Sequence, residues 1–494
     1  MNRIKPSHLF WLALLTGLIV RLIIIFQPEA NLLTRWGSDD LYYYSQIAGH
    51  IASGDGFTFD GIHSTNGFQP LFLFVLIPFG KLMLNDWYSS WIVVSLVVTL
   101  LSVLACFQLR KWAREMEWSE WLAVLLPGFF ILHPKILSVT FNGTEGALSF
   151  LMLVLTLRAF LWMKEKRNFL PSIAVFSLFV ITRMEFSLIL FFLAAFALIQ
   201  GQSLKHWFLV AIGPIITFGA WMTINFVSLG NIVTSSGQAK ATHATWYEFP
   251  FFEGIKGAIG TVFYAESALS WVIIGLTLIG LYALFLKKDR NLWGLLLCLG
   301  LVSIVLMIVT IKTLHGFRDW YFVPQYLILL ILVAHGIEWF VSGKKLYLVM
   351  FPVVIGMLWG EATWKPRTFD GQFVIHSCKD LEKILAPGTL IGVYNAGLPS
   401  ACLGEKYTVV NLDGVVNNSV LKYLEKRELG GYVGLEKIEF IFDTSLSLLF
   451  FRNKAGIPSH RMHVFYDKNN VWHLERVMLP EFVHPSIREA FEQN

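Results

Sequence analysis

Two adjacent carboxylates, Asp39 and Asp40, stand in the stretch TRWGSDDLYYYSQIAGHIASGDGF (34–57), directly after a very apolar run. A carboxylate that takes a proton from an attacking hydroxyl is a general base, and this pair is the first candidate for that role. The plainer reading is capping: SDD opens a helix, and Ser38 or Asp39 alone would complement its dipole. Other charges recur at the ends of other apolar runs. Glu145 in FNGTEGALSF (141–150) is either a first-turn dipole partner or a further acid at a site. Arg183 and Glu185 in ITRMEF (181–186) sit between two apolar runs with almost no loop. Charges at such depth face protein or a water-filled cavity, and pairing with each other is the structural alternative. Lys240 and His243 lie in GNIVTSSGQAKATH (230–243), where His243 alone reads as a surface histidine. The stretch KTLHGFRDWYFVPQY (312–326) brings Arg318 and Tyr321 to a helix mouth. Its aromatics fit an interfacial belt, while the planar donor fork of Arg318 suits a phosphate. The loop GFTFDGIHSTNGFQP (56–70), with Asn66 and Gln69, is made of turn residues, and long loops in compact proteins are often functional. No Cys/His spacing suits zinc, and no Ser/His/Asp set is recognisable.

The elements that must position these residues are membrane helices. Of 494 residues, 55% are hydrophobic and 15% charged, where a soluble globular protein carries roughly a quarter as charged residues. Mean hydropathy is +0.59. Apolar runs near 20 residues long, each able to cross a hydrocarbon core of about 30 Å, place spans near 9–26, 88–109, 119–133, 144–163, 170–183, 185–200, 206–228, 268–286, 291–311, 319–340 and 345–361. The first run is not a cleavable signal, since it holds Arg21 and no small-residue cleavage site follows. Lys/Arg clusters all fall on one side if PLFLFVLIPFGKLML (70–84) does not cross, so 70–84 is expected to be a half-embedded or surface helix. About eleven crossings then put the N-terminus inside, and segments 27–87 and 229–267 and the C-terminus outside. The cell (inner or plasma) membrane is the expected location. There is no internal repeat and no basic run that would suggest nucleic acid.

Charge density rises from about 12% over residues 1–361 to about 23% over 362–494. We therefore expect a transmembrane domain (1–361) and a soluble extracytoplasmic domain (362–494), with the boundary near Glu361–Lys365. Short strand-like runs at 389–395, 406–414 and 438–443 alternate with helix-like ones, which predicts a small α/β domain. Cys378 and Cys402 could pair there in an oxidising compartment, although spacing alone does not prove it. Cys106 and Cys298 read as small hydrophobes in apolar helices.

Acids and cations gathered at one membrane face suit a substrate that is part lipid and part phosphate. In sugar transfer from a polyprenyl phosphate the leaving group is already a stable anion. It needs cations more than a general acid, and one carboxylate suffices to take the acceptor's proton. Glycoside hydrolysis differs, because its alkoxide leaving group calls for a second, acidic carboxyl. The stretches DDLYYYSQIAGHIASGDGFTFDGIHSTNGFQPLFLF, NGTEGAL, TRMEF, GNIVTSSGQAKA, RDWYF and VVNLDGVVNN together resemble, in their order, the bacterial GT-C glycosyltransferases that use polyprenyl-phosphate sugars. The arabinofuranosyltransferases of cell-wall assembly are similar. The resemblance implies a mainly α fold: a polytopic helical membrane domain with a C-terminal α/β domain. It implies a catalytic aspartate at Asp39 or Asp40, with Asp39 favoured as base. It also implies substrate-binding roles for Asn66, Gln69, Glu145, Arg183, Glu185, Lys240, His243, Arg318 and Tyr321. Many relatives have His where Gln69 stands, and Pro-Asn where TSSGQAK reads Ser-Ser.

The expected activity is inverting transfer of a sugar from a polyprenyl-phosphate donor to a hydroxyl of a glycan, glycolipid or protein on the exterior face. Asp39, Asp40 and Glu145 could hold Mg²⁺ or Mn²⁺ through oxygens, with no cofactor certain. The tail's NLDGVVNN, around Asp413 and Asn417, is an acceptor-side surface or a capped strand-to-helix turn. A transporter or flippase of lipid-linked sugars is the rival, although such proteins carry polar residues at mid-membrane, often in repeated halves.

Overall fold

The computed structural model describes residues 5–29, 36–164, 169–246, 268–313, 319–341, 371–457, 462–468 and 472–477, with a few isolated positions between them. Among the described residues six helical stretches are long and apolar enough to cross a membrane: Pro6–Ile25, Trp87–Glu115, Gly146–Met163, Leu204–Leu229, Arg290–Thr310 and Trp320–Trp339. A seventh span exists if the pair Leu122–Leu132 and Pro134–Phe141 is counted as one. That pair bends by 62°. His133, at the break, is extended (φ −69°, ψ 122°), because the residue before a proline is pushed out of the helical region. Ala268–Lys287 is an apolar helix of 20 residues, and Phe169–Thr182 and Met184–Ile199 are apolar helices of only 10–17 residues. At 1.5 Å per residue the latter two cover less than a hydrocarbon core of about 30 Å. Among the described residues, length and apolarity therefore support six or seven spans where eleven were expected. The eleventh, 345–361, and the boundary near Glu361–Lys365 lie outside the described residues.

Local sequence explains the helix ends. Pro6 and Pro70 occupy first-turn positions, where a missing N–H costs nothing. Asp86 caps Trp87–Glu115 by accepting from the amides of Tyr88 at 2.9 Å and Ser89 at 3.1 Å. Arg21, fully buried in the first helix, donates to the carbonyl of Ile131 at 2.8 Å and to Thr140 at 3.4 Å. A cation thus meets the carbonyl end of the broken helix, the electrostatically favoured arrangement. The 70–84 segment is helical but kinked, as Pro70–Leu76, a 3₁₀ turn over Ile77–Phe79 and Gly80–Met83. It packs on the Asp39–Ser53 helix.

The tail forms a five-stranded sheet in the order β2-β1-β3-β5-β4. Strands β1 (Leu390–Val393), β2 (Thr408–Asn411) and β3 (Phe440–Thr444) are parallel, and β4 (Met462–Lys468) and β5 (Trp472–Val477) add an antiparallel hairpin. The first three match the expected strands; the hairpin was not foreseen. The helix Gly397–Leu403 lies between β1 and β2 in the chain. A disulfide joins its Cys402 to Cys378 in the helix Gly371–Ile384. One continuous apolar core runs from the membrane helices through Leu41, Ile47 and Ala48 to Leu398, Ala401 and Leu403 of the tail. The Asp39–Ser53 helix thus sits between the membrane helices and the α/β unit.

Candidate active site

The Asp39–Ser53 helix begins at the acidic pair. Its N-cap residue, Ser38, makes no side-chain cap and instead donates to the carbonyl of Asn142 at 2.9 Å. Asp39 caps a different helix. Its two carboxylate oxygens accept the amides of Gly397 at 3.0 Å and Leu398 at 2.8 Å, at the start of Gly397–Leu403. Burial pushes the Asp39 carboxyl up to about 6, against the pull of these two amides.

Asp40 points elsewhere, into a cleft with about 460 Å³ of space that is partly open to solvent. Asp40, Tyr43, Tyr44 and Ile47 line one side at helical spacing; Gly67–Gln69 and Glu145 line a second. Ser236 and Lys240, from the Ser235–Ala244 helix, stand with Trp320 and Tyr321 on the third, and Val415 of the tail completes the wall.

A buried network holds the floor. Glu145, 3% exposed, accepts from the guanidinium of Arg183, 1% exposed, and from the hydroxyl of Tyr44 at 2.9 Å. That hydroxyl in turn accepts the amide of Gln69 at 3.1 Å. Arg183 also donates from Nε to Glu185 at 2.8 Å. Burial and the Glu145 carboxylate hold the Tyr44 hydroxyl well above its ordinary value, so it stays a donor. The Arg183 guanidinium lies 4.5 Å from the centre of the Tyr321 ring, and Lys240 donates to the Tyr321 hydroxyl at 2.7 Å. Arg183 sits between two acids, whereas Lys240 brings a positive charge to the cleft wall.

The structure therefore brings Asp40, Gln69, Glu145, Lys240 and Tyr321 to the cleft, with Arg183 and Glu185 behind them. Asp39 and Asn66 do not line it. Asn66 accepts the amide of Ser235 at 2.8 Å and is bonded to Asn418 at 3.3 Å, tying three segments together. His243 packs against Trp246 and Phe451, with ring centres 4.8 and 5.4 Å away, and is a packing residue rather than part of the cleft. Arg318 lies outside the described residues. Sequence reasoning missed Tyr44, although its position four residues after Asp40 places both on one helix face.

The acids do not form a metal-ligand set. Both oxygens of Asp39 and both of Glu145 are already hydrogen-bonded, and no three Asp, Glu, His or Cys side chains among the described residues stand together as metal ligands. The residues expected to hold Mg²⁺ or Mn²⁺ thus do not fit one.

The sequence matches no family model and no curated protein. Solved structures resemble it in three dimensions. ArnT from Cupriavidus metallidurans, bound to undecaprenyl phosphate, superposes with a TM-score of 0.61 at 12% identity, over 96% of this chain and 99% of that one. The oligosaccharyltransferase of Archaeoglobus fulgidus in its apo form gives 0.52 at 13% identity, over 88% of this chain and 69% of that one. In complex with an inhibitory peptide and a dolichol-phosphate, the oligosaccharyltransferase AglB from Archaeoglobus fulgidus gives 0.50 at 11%, over 96% and 75%. At such identities the likeness is one of fold: this chain has the GT-C fold.

Proposed function

We propose that this protein is an inverting glycosyltransferase that moves a sugar from a polyprenyl-phosphate donor to a hydroxyl acceptor at the exterior face of the membrane. The observation that carries the reading is the cleft itself, where the Asp40 carboxylate and the Lys240 ammonium line one space in a chain of GT-C fold. Asp40 takes the proton of the acceptor hydroxyl as its oxygen attacks the anomeric carbon. The carbon–oxygen bond to the phosphate breaks on the opposite face, and the electron pair leaves with polyprenyl phosphate. Lys240, with Tyr321 beside it, meets the charge of the departing phosphate. Glu145, Arg183 and Tyr44 keep the floor rigid, and no step requires a metal. Undecaprenyl phosphate in the ArnT structure supports a lipid-phosphate donor, and the Cys378–Cys402 disulfide supports an oxidising, extracytoplasmic side for the tail. The acceptor class, whether glycan, glycolipid or protein, is the open half of the proposal.

The test is release of polyprenyl phosphate by purified protein from a panel of labelled polyprenyl-phosphate sugars. Wild type is expected to turn over one of them, and Asp40→Asn to lose about 10²–10⁴ of that rate, the usual span of a general base. Binding of the lipid-linked sugars without any release would overturn the enzyme reading in favour of a transporter.

A further inference from the structure

We propose that Asp39 and His63 are positioning residues that dock the C-terminal α/β unit against the membrane part, so that the Val415 turn stands as a wall of the cleft only while both hold. The proposal deepens the reading above and rests on it for activity, but not for docking.

The first clamp is the Asp39 carboxylate on the amides of Gly397 and Leu398, with the Tyr43 hydroxyl accepting the Ala396 amide at 3.2 Å. The fit leaves no slack: a Cβ at Gly397 would come within 2.2 Å of the Asp39 carbonyl oxygen. On its other side the same turn is held by buried Asp443, which accepts the amides of Tyr394 at 3.0 Å and Asn395 at 2.8 Å.

The second clamp lies in the first exterior loop. His63 is buried with Nδ1 2.7 Å from Asp60 and Nε2 3.2 Å from Glu436 of the tail. A neutral imidazole carries one N–H and cannot donate to both carboxylates, so the bridge across the two parts of the chain is an imidazolium.

Between the clamps runs a polar seam. Ser235 donates to the Val415 carbonyl at 2.8 Å, the Asn418 amide donates to the Ser64 carbonyl at 3.4 Å, and a Cβ at Gly67 would lie 1.8 Å from the Val415 oxygen. Tyr43, Gly67 and Val415 themselves line the cleft, so these contacts meet its wall directly. They fix where Val415 stands.

The experiment follows hydrogen–deuterium exchange of the full-length protein in detergent at the Gly397 and Leu398 amides and at residues 414–418, together with KM and kcat for the donor that wild type uses. The variants are Glu436→Gln, His63→Gln and Asp39→Leu. Loss of either clamp is expected to speed exchange at both places by about tenfold or more, the worth of a hydrogen bond to a charged group. The Glu436 and His63 variants should raise KM while largely keeping kcat, which Asp40→Asn should not do. Glu436 is a partly exposed side chain, so its variant folds even if Asp39→Leu does not. Unchanged exchange at 397–398 in both the Glu436 and His63 variants overturns the docking role. Faster exchange with unchanged KM overturns the claim that the docked wall completes the site. A wild type that turns over no donor fells the functional reading, and exchange alone then decides docking.

Discussion

Asp39 and Asp40 show how two identical neighbours take opposite roles. Successive residues on a helix point about 100° apart, so adjacent carboxylates cannot share a face. One meets the start of a helix in the tail; the other meets the cleft. Asp413, on the NLDG turn, is a third part-buried carboxyl nearby, pushed up to about 7 by desolvation, with Asp39 and Asp40 adding to the effect. Glu145 is different in kind. It is buried, paired with Arg183 and bonded to Tyr44, so its removal unbalances a buried ionic group. Glu145→Gln is expected to destabilise the protein by about 3 kcal/mol, read from thermal or denaturant unfolding in detergent, because breaking one arm of a buried pair exposes the other to its desolvation cost. A change near zero would assign Glu145 to substrate rather than to the floor.

Among elements, the loop 57–69 meets the tail through His63. His63 faces Asp60 and Glu436, with the Tyr432 ring centre 6.2 Å away, and the carboxylates outweigh burial to raise its pKa above 6.5. A raised pKa means the docked form holds its proton more tightly. The contribution is fully present below 6.5 and is lost as pH rises through the raised value. Asp39, which faces Asp40, Asp413, Tyr42 and Tyr43, works with the same sign. Burial raises it from 3.8 to about 6 against the pull of the Gly397 and Leu398 amides, so its contribution to stability is fully present below 3.8 and is lost as pH rises through about 6. Thermal stability is therefore expected to fall on the alkaline side, and His63→Gln to flatten that fall. A wild-type profile that keeps its height above the histidine range would show that the bridge contributes nothing.

For the whole molecule, the placement of the tail joins fold to function. The Cys378–Cys402 bridge closes a loop of sequence separation 24 and fastens the helix that Asp39 caps to the one before β1. Its removal by Cys402→Ser is expected to destabilise the α/β unit by about 3 kcal/mol, a typical value for such a loop. The measurement is unfolding with and without reductant; a reductant effect that persists in the Cys402→Ser variant would point to another cause.

Much of this was legible in the chain. Apolar runs identified the membrane helices because length against a hydrocarbon core is a local property. The alternation after residue 388 pointed to the first three strands of the tail, because strand-like runs are local too. The order of the acidic and basic stretches pointed to the fold. Hydropathy placed eleven spans against six or seven long apolar helices among the described residues, because it counts an apolar run whether it faces lipid or other helices. The roles of Asn66, His243 and Asp39 were not legible, since each is set by a partner far along the chain: Ser235 and Asn418, Phe451, and Gly397 with Leu398. Sequence alone determined that this is a membrane protein with acids and cations at helix ends. Only the tertiary structure decided which aspartate faces the cleft, because that depends on where a helix from the other end of the chain comes to rest.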